Sequence, residues 1–158
     1  MTQLNQLIDR LRDAEIEFVI VGGFAGMLHG STLVTQDLDV CAVITPQTVE
    51  KLRETLRDLR PTHRQTPQRL SFLDNPSPGV AIHNLYLDTT LGPLDILSSI
   101  KGVGDYARVR ESSVEIELFG RPCRVISLEE LIRAKESLAR PKDLLAAQEL
   151  RAILEQKK

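Results

Sequence analysis

The stretch Val21 to Val40, VGGFAGMLHGSTLVTQDLDV, decides how the rest of the chain reads. It opens with Gly22-Gly23 after the apolar run Phe18-Val19-Ile20-Val21, which suits a buried strand ending in a tight turn. Phe24 to His29 can form about two turns of helix before Gly30-Ser31 stops it. Asp37-Leu38-Asp39-Val40 then enters a second apolar run, read as a strand from Asp37 to Ile44. Alternate residues of a strand share a face, so Asp37 and Asp39 point one way while Leu38 and Val40 point into the core. Two neighbouring carboxylates repel unless a cation lies between them. A glycine turn beside a paired-carboxylate strand is therefore a place to hold a metal-bound nucleoside triphosphate.

Working outward, Leu4, Leu7, Ile8 and Leu11 recur at helical spacing and predict an amphipathic first helix. Thr45-Pro46 opens another helix, with Val49, Leu52, Leu56 and Leu59 as its apolar face and Arg60-Pro61 as its end. Arg53, Arg57, Arg60 and Arg64 read as the solvated side of that helix and its exit, with acceptor binding as the alternative. The middle reads as three strands, Arg69 to Leu73, Ala81 to Leu87 and Leu91 to Leu97, divided by Asn75-Pro76-Ser77-Pro78-Gly79 and Thr89-Thr90. Val114 to Leu118 alternates, turns at Gly120 and returns through Cys123 to Ile126 as a hairpin. Ser127 with Glu130 forms a capping box for a helix reaching Ala139; Arg140-Pro141 breaks it, and a last helix runs from Asp143 to about Glu155. The pattern predicts one α/β (α+β) domain over residues 1–158, a mixed sheet flanked by helices with a helical C-terminus.

Composition excludes several classes. The chain has 158 residues, 42% hydrophobic and 27% charged, an ordinary globular profile. No apolar run approaches the roughly 20 residues of a membrane span, and the polar, amphipathic Met1 to Asp13 is not a signal peptide. Cys41 and Cys123 suit neither a disulfide framework nor a zinc site, so a cytoplasmic protein without membrane attachment is the expectation. Residues 1–120 carry 11 Lys/Arg against 16 Asp/Glu and residues 121–158 carry 9 against 6, too little basic excess for a nucleic-acid binder.

The order strand, Gly-Gly, short helix, Ser/Thr-rich loop and D-x-D resembles the signature of the DNA polymerase β-like nucleotidyltransferase superfamily. Here Val21-Gly22-Gly23 is followed by a spacer of thirteen and then by Asp37-Leu38-Asp39-Val40. Gly92-Pro93-Leu94-Asp95-Ile96-Leu97 resembles the later strand that supplies that superfamily's third carboxylate; Asp88 is a weaker candidate, and the apolar neighbours of Asp95 favour the latter. Ala134-Lys135 followed by Arg140-Pro141-Lys142-Asp143-Leu144 resembles the helical segment of minimal, AbiEii-type bacterial nucleotidyltransferases. One departure is that Leu33-Val34 precede Thr35 where related sequences often carry a basic residue.

The resemblance implies a nucleotidyltransferase that moves an NMP from an NTP, ATP among them, to an acceptor hydroxyl. It assigns Asp37 and Asp39 as the metal-binding pair and Asp95 as third ligand and candidate base, with two Mg²⁺ ions expected and Mn²⁺ as a substitute. Gly22 and Gly23 would let backbone N–H groups approach the phosphates, Lys135 or Lys142 would neutralise them, and Thr35 would bond a phosphate or turn the loop. Asp143 would cap or pair near the start of the last helix. The acceptor, an RNA end, a protein or a small molecule, is left open, as are self-association and a toxin–antitoxin partnership. Two rival readings stand beside it. A degenerate binding or antitoxin module is disfavoured by the presence of all three carboxylates. A dinucleotide-binding domain is disfavoured because the glycines are spaced G-G-x-x-G and not G-x-G-x-x-G.

Overall fold

The computed structural model describes residues 2–158. Its centre is a seven-stranded mixed sheet in the order β3-β4-β5-β2-β1-β9-β8. These strands are β1 (Val19–Val21), β2 (Leu38–Cys41), β3 (Thr62–His63), β4 (Asn84–Thr89), β5 (Gly92–Leu97), β8 (Val114–Leu118) and β9 (Arg121–Val125). A separate two-stranded ribbon joins β6 (Ser99–Ile100) to β7 (Gly104–Asp105). The helices are α1 (Thr2–Asp13), α2 (Gly22–Leu28), α3 (Pro46–Leu56), α4 (Tyr106–Glu111), α5 (Leu128–Leu138) and α6 (Pro141–Gln156). No helix among the described residues is long and apolar enough to cross a membrane.

Register explains how the sheet separates core from site. β2 pairs in parallel with β5, placing Leu38 beside Leu94, Asp39 beside Asp95 and Val40 beside Ile96. β5 pairs antiparallel with β4, placing Leu87 beside Leu94, Leu85 beside Ile96 and Tyr86 beside Asp95. Leu38, Val40, Leu85, Leu87, Leu94 and Ile96 thus share one face, and all are buried. Each fully buried side chain of this size contributes roughly 1.5–3 kcal/mol relative to its exposed state. The period of two leaves Asp39, Asp95 and Tyr86 together on the other face. That face is apolar farther along the strands, where Val19 pairs with Cys41, so the carboxylates rise from a dry floor.

The helices enclose the sheet. α1 packs against α3, α2 against α5, and α5 against α6. Leu4, Leu7, Ile8 and Leu11 are buried, as the helical spacing predicts. Thr45 caps α3 by accepting from the N–H of Thr48 at 3.1 Å, with Pro46 in the first turn. Ser127 caps α5 by accepting from the N–H of Glu130. The Glu130 side chain does not complete the box: its carboxylate accepts from Arg108 at 2.8 Å.

Several elements differ from the sequence reading. The strand expected over Arg69 to Leu73 is reduced to one bridge between Thr62 and Ser71. β2 ends at Cys41 and not at Ile44, and the strand expected from Ala81 begins at Asn84. The last helix starts earlier, at Pro141, whose ring needs no N–H partner at that position. β6, β7 and α4 were not anticipated; Asp105 caps α4 by accepting from the N–H of Arg108 at 3.1 Å.

Arg53 is the clearest correction. It is buried, not solvated. Its Nε donates to the Phe72 carbonyl at 2.8 Å, its Nη2 to the Pro76 carbonyl at 2.6 Å, and its Nη1 to Glu50 at 2.9 Å. The guanidinium lies 5.2 Å from the Phe72 ring centroid. An ammonium cannot reproduce this fork, so Arg53→Lys is expected to cost about 1–3 kcal/mol. The check is a lowered urea midpoint with an unchanged slope.

Candidate active site

Asp37, Asp39 and Asp95 are brought together as the alternation suggests. Asp39 lies on β2 opposite Asp95 on β5, and Asp37 is exposed two residues earlier. Burial pushes the Asp39 carboxyl up to about 6, and the neighbouring Asp95 and Asp37 charges push the same way, while Lys135 and Arg64 pull it back. Burial likewise raises Asp95, against the opposing hydrogen bond and charge of Arg64. The cluster therefore holds more negative charge than its cations offset, the condition that invites a positive ligand.

The glycines lie against these carboxylates. Gly22 has φ +70°, and a Cβ placed there would collide with Asp39 Oδ2. Only glycine lets the first residue of α2 approach Asp39 so closely while holding a left-handed conformation. A Cβ on Gly23 would meet Thr35 Cγ2 at 3.1 Å. Thr35 turns the loop: its Oγ1 accepts from the N–H of Asp37 at 3.1 Å. Farther back the loop is tied to α6, where the N–H of Thr32 donates to Glu149 at 3.1 Å. These contacts fix the loop that leads into Asp37.

Of the two candidate lysines, Lys135 is the one whose charge acts on Asp39. Its Nζ lies 3.9 Å from Asp143 Oδ1. Lys142 is exposed on the first turn of α6. Asp143 is buried and pairs as expected: Arg140 Nε donates to its Oδ2 at 2.5 Å and Nη2 to its Oδ1 at 3.2 Å. Arg140, with Lys135 behind it, holds the Asp143 carboxyl below the usual carboxylate range.

Arg64 reads in the sequence as a solvated helical face or an acceptor contact, and its pairing with Asp95 is not legible there. It does not continue a helical face, because Arg60 adopts a left-handed conformation at φ +52° and the chain then enters β3. Its Nη2 donates to Asp95 Oδ1, its Nη1 donates to the Leu87 carbonyl at 3.0 Å, and Nη1 lies 3.6 Å from Asp88 Oδ1. Asp88 also pairs with Arg69, so this weaker third-ligand candidate is already committed to two arginines.

Among the described residues, no three His, Cys, Asp or Glu side chains are grouped so that they could hold a metal ion as they stand. The donors themselves suit a hard divalent ion: they are carboxylate oxygens, they crowd one face, and Asp39 is held half-buried beside two like charges. A cavity of about 720 Å³ lies elsewhere, beyond the C-terminal ends of β2 and β5, with Val43, Ile44, Val49, Val80, Ile82 and Tyr106 in its walls. None of the three aspartates lines it.

No family model matches the sequence, and no curated protein matches it. Solved structures do match. The lincosamide antibiotic adenylyltransferase LnuA, in its lincomycin-bound form, is 18% identical over 96% of each chain, with a TM-score of 0.61. The antibiotic-resistance factor ANT(2'')-Ia is 15% identical over 97% of this chain and 83% of that one, with a TM-score of 0.63. An antigenic nucleotidyltransferase-like protein from Paracoccidioides brasiliensis is 14% identical over 98% and 75%, with a TM-score of 0.61. The chain has the nucleotidyltransferase fold, as its glycine and carboxylate motifs implied.

Proposed function

We propose that the chain transfers a nucleoside monophosphate from an NTP to an acceptor hydroxyl. The observation that carries this reading is Asp39 standing in register beside Asp95 on adjacent parallel strands, against the glycine entry of α2. In the reaction, the acceptor oxygen forms a bond to the α-phosphorus as the bond from that phosphorus to the bridging oxygen of the β-phosphate breaks. Pyrophosphate leaves with that electron pair. Asp95, raised by burial, is the group suited to take the hydroxyl proton. Gly22 and Gly23 keep side chains away from the phosphates, and Lys135 offsets their charge. Divalent ions held by Asp37, Asp39 and Asp95 would stabilise the attacking and leaving oxygens. An AbiEii-type membership is part of this reading and rests on Lys135 and on Arg140-Pro141-Lys142-Asp143.

LnuA and ANT(2'')-Ia, by their names an antibiotic adenylyltransferase and an antibiotic-resistance factor, support a small hydroxylated molecule as the first acceptor to test. The test is incubation with each α-labelled NTP and three separate acceptor pools: hydroxylated small molecules, RNA and protein. Label is expected in one pool, with Mg²⁺ and not with a chelator. Calorimetry accompanies it. NTP should bind only with a divalent ion, and equal affinity in chelator with no labelled pool would instead make the chain a binding module.

A further inference from the structure

Arg64 sits between two carboxylates of unlike standing. Asp95, on β5, belongs to the cluster; Asp88, on β4, does not. The backbone N–H of Arg64 donates to the Tyr86 carbonyl at 2.8 Å, and Nη1 donates to the Leu87 carbonyl at 3.0 Å. The backbone of Arg64 and one arm of its guanidinium are thus tied to β4. Its Nη2 holds Asp95 Oδ1 while Nη1 stands 3.6 Å from Asp88 Oδ1, within ion-pair range yet short of a hydrogen bond. The guanidinium side chain is 29% exposed and the Asp88 side chain 30%, so water can cover either exchange. To engage Asp88 the fork has only to close the gap between 3.6 Å and hydrogen-bond range.

The same Asp95 carboxylate is needed by the proposed reaction. Arg64 takes only Oδ1 of that carboxylate, but a divalent ion on the same group would stand within a few ångströms of the guanidinium, and the two positive charges repel. We propose that Arg64 is a positioning residue that occupies Asp95 while no divalent ion is present and shifts to Asp88 when one arrives. This rests on the reading that the aspartate cluster holds divalent ions. Asp88 is then the alternative seat, and Arg69, on its other oxygen, keeps that carboxylate oriented. Were Arg64 only a staple between β4 and its neighbours, its removal would lower stability and leave ion affinity unchanged.

The test is calorimetric titration of the full chain with Mn²⁺ in the absence of nucleotide. Arg64→Gln is expected to tighten Mn²⁺ binding roughly fivefold, the scale of one partly exposed ion pair. Asp88→Asn is expected to weaken it, because Arg64 loses its second seat. In the Arg64→Gln background the Asp88→Asn effect should shrink, a coupling that independent residues would not show. Arg64→Lys, which keeps the charge with a different reach, should fall between wild type and Arg64→Gln and serves if the glutamine variant misfolds. Unchanged or weaker binding in both Arg64 variants, with binding abolished by Asp39→Asn, overturns the exchange and leaves the carboxylate reading standing. Equal, negligible Mn²⁺ binding by wild type and every variant overturns both.

Discussion

Asp39→Asn is expected to lower nucleotidyl transfer by on the order of a thousandfold or more, because ion-mediated stabilisation of transferring phosphoryl oxygens supplies several kcal/mol. The same substitution should stabilise the metal-free protein. The Asp39 carboxyl is raised from 3.8 to about 6, so the folded state holds this proton more tightly than the unfolded one. Its contribution to stability is fully present below 3.8 and is lost as pH rises to about 6. At pH 7 in chelator, Asp39→Asn should therefore be more stable than wild type by on the order of 2 kcal/mol. At pH 3.5 the difference should nearly vanish. Thermal denaturation at both values, with and without Mg²⁺, reads it directly; added ion should raise the wild-type midpoint and leave the variant unmoved. A variant less stable at pH 7 and equally active would remove Asp39 from the site.

Gly22→Ala is the second large effect, and it works through the same carboxylate. An L-residue at φ +70° costs about 1–2 kcal/mol, and the new Cβ would collide with Asp39 Oδ2 and stand 3.0 Å from Asp39 Cβ. Asp39 must move, and a misplacement near 1 Å commonly costs about a hundredfold in rate. Gly120 supplies the control. Its φ is +79°, but a Cβ there meets nothing within 4 Å. Gly120→Ala should thus show the backbone cost without loss of activity. Equal activity of the two alanine variants would mean that the approach of Gly22 to Asp39 has no role in the reaction.

Much of this site is written locally. Asp37-Leu38-Asp39 and Leu94-Asp95-Ile96 have the alternation of a half-buried strand, so their facing follows from a period of two. The registration of Asp39 beside Asp95 spans far more sequence than any local pattern covers, and only the parallel pairing of β2 with β5 delivers it. Arg64 was hidden by a false continuation: Arg53, Arg57, Arg60 and Arg64 keep helical spacing, but α3 ends at Leu56 and the 3-10 turn after it, Arg57–Leu59, closes on a left-handed Arg60. Arg53 carried a readable signal, because Val49, Arg53 and Leu56 lie at i, i+4 and i+7 on the buried stripe. α4 was hidden among short, glycine-interrupted strands, where Asp105, three residues before Arg108, was the cue to a cap.

The most direct test of nucleotidyl transfer compares α-labelled with γ-labelled NTP on the accepting pool, using wild type and Asp39→Asn side by side. Transfer of α-label with release of γ-label as pyrophosphate, lost in the variant, is the expected result. Transfer of γ-label, or α-label transferred equally by Asp39→Asn, would contradict it.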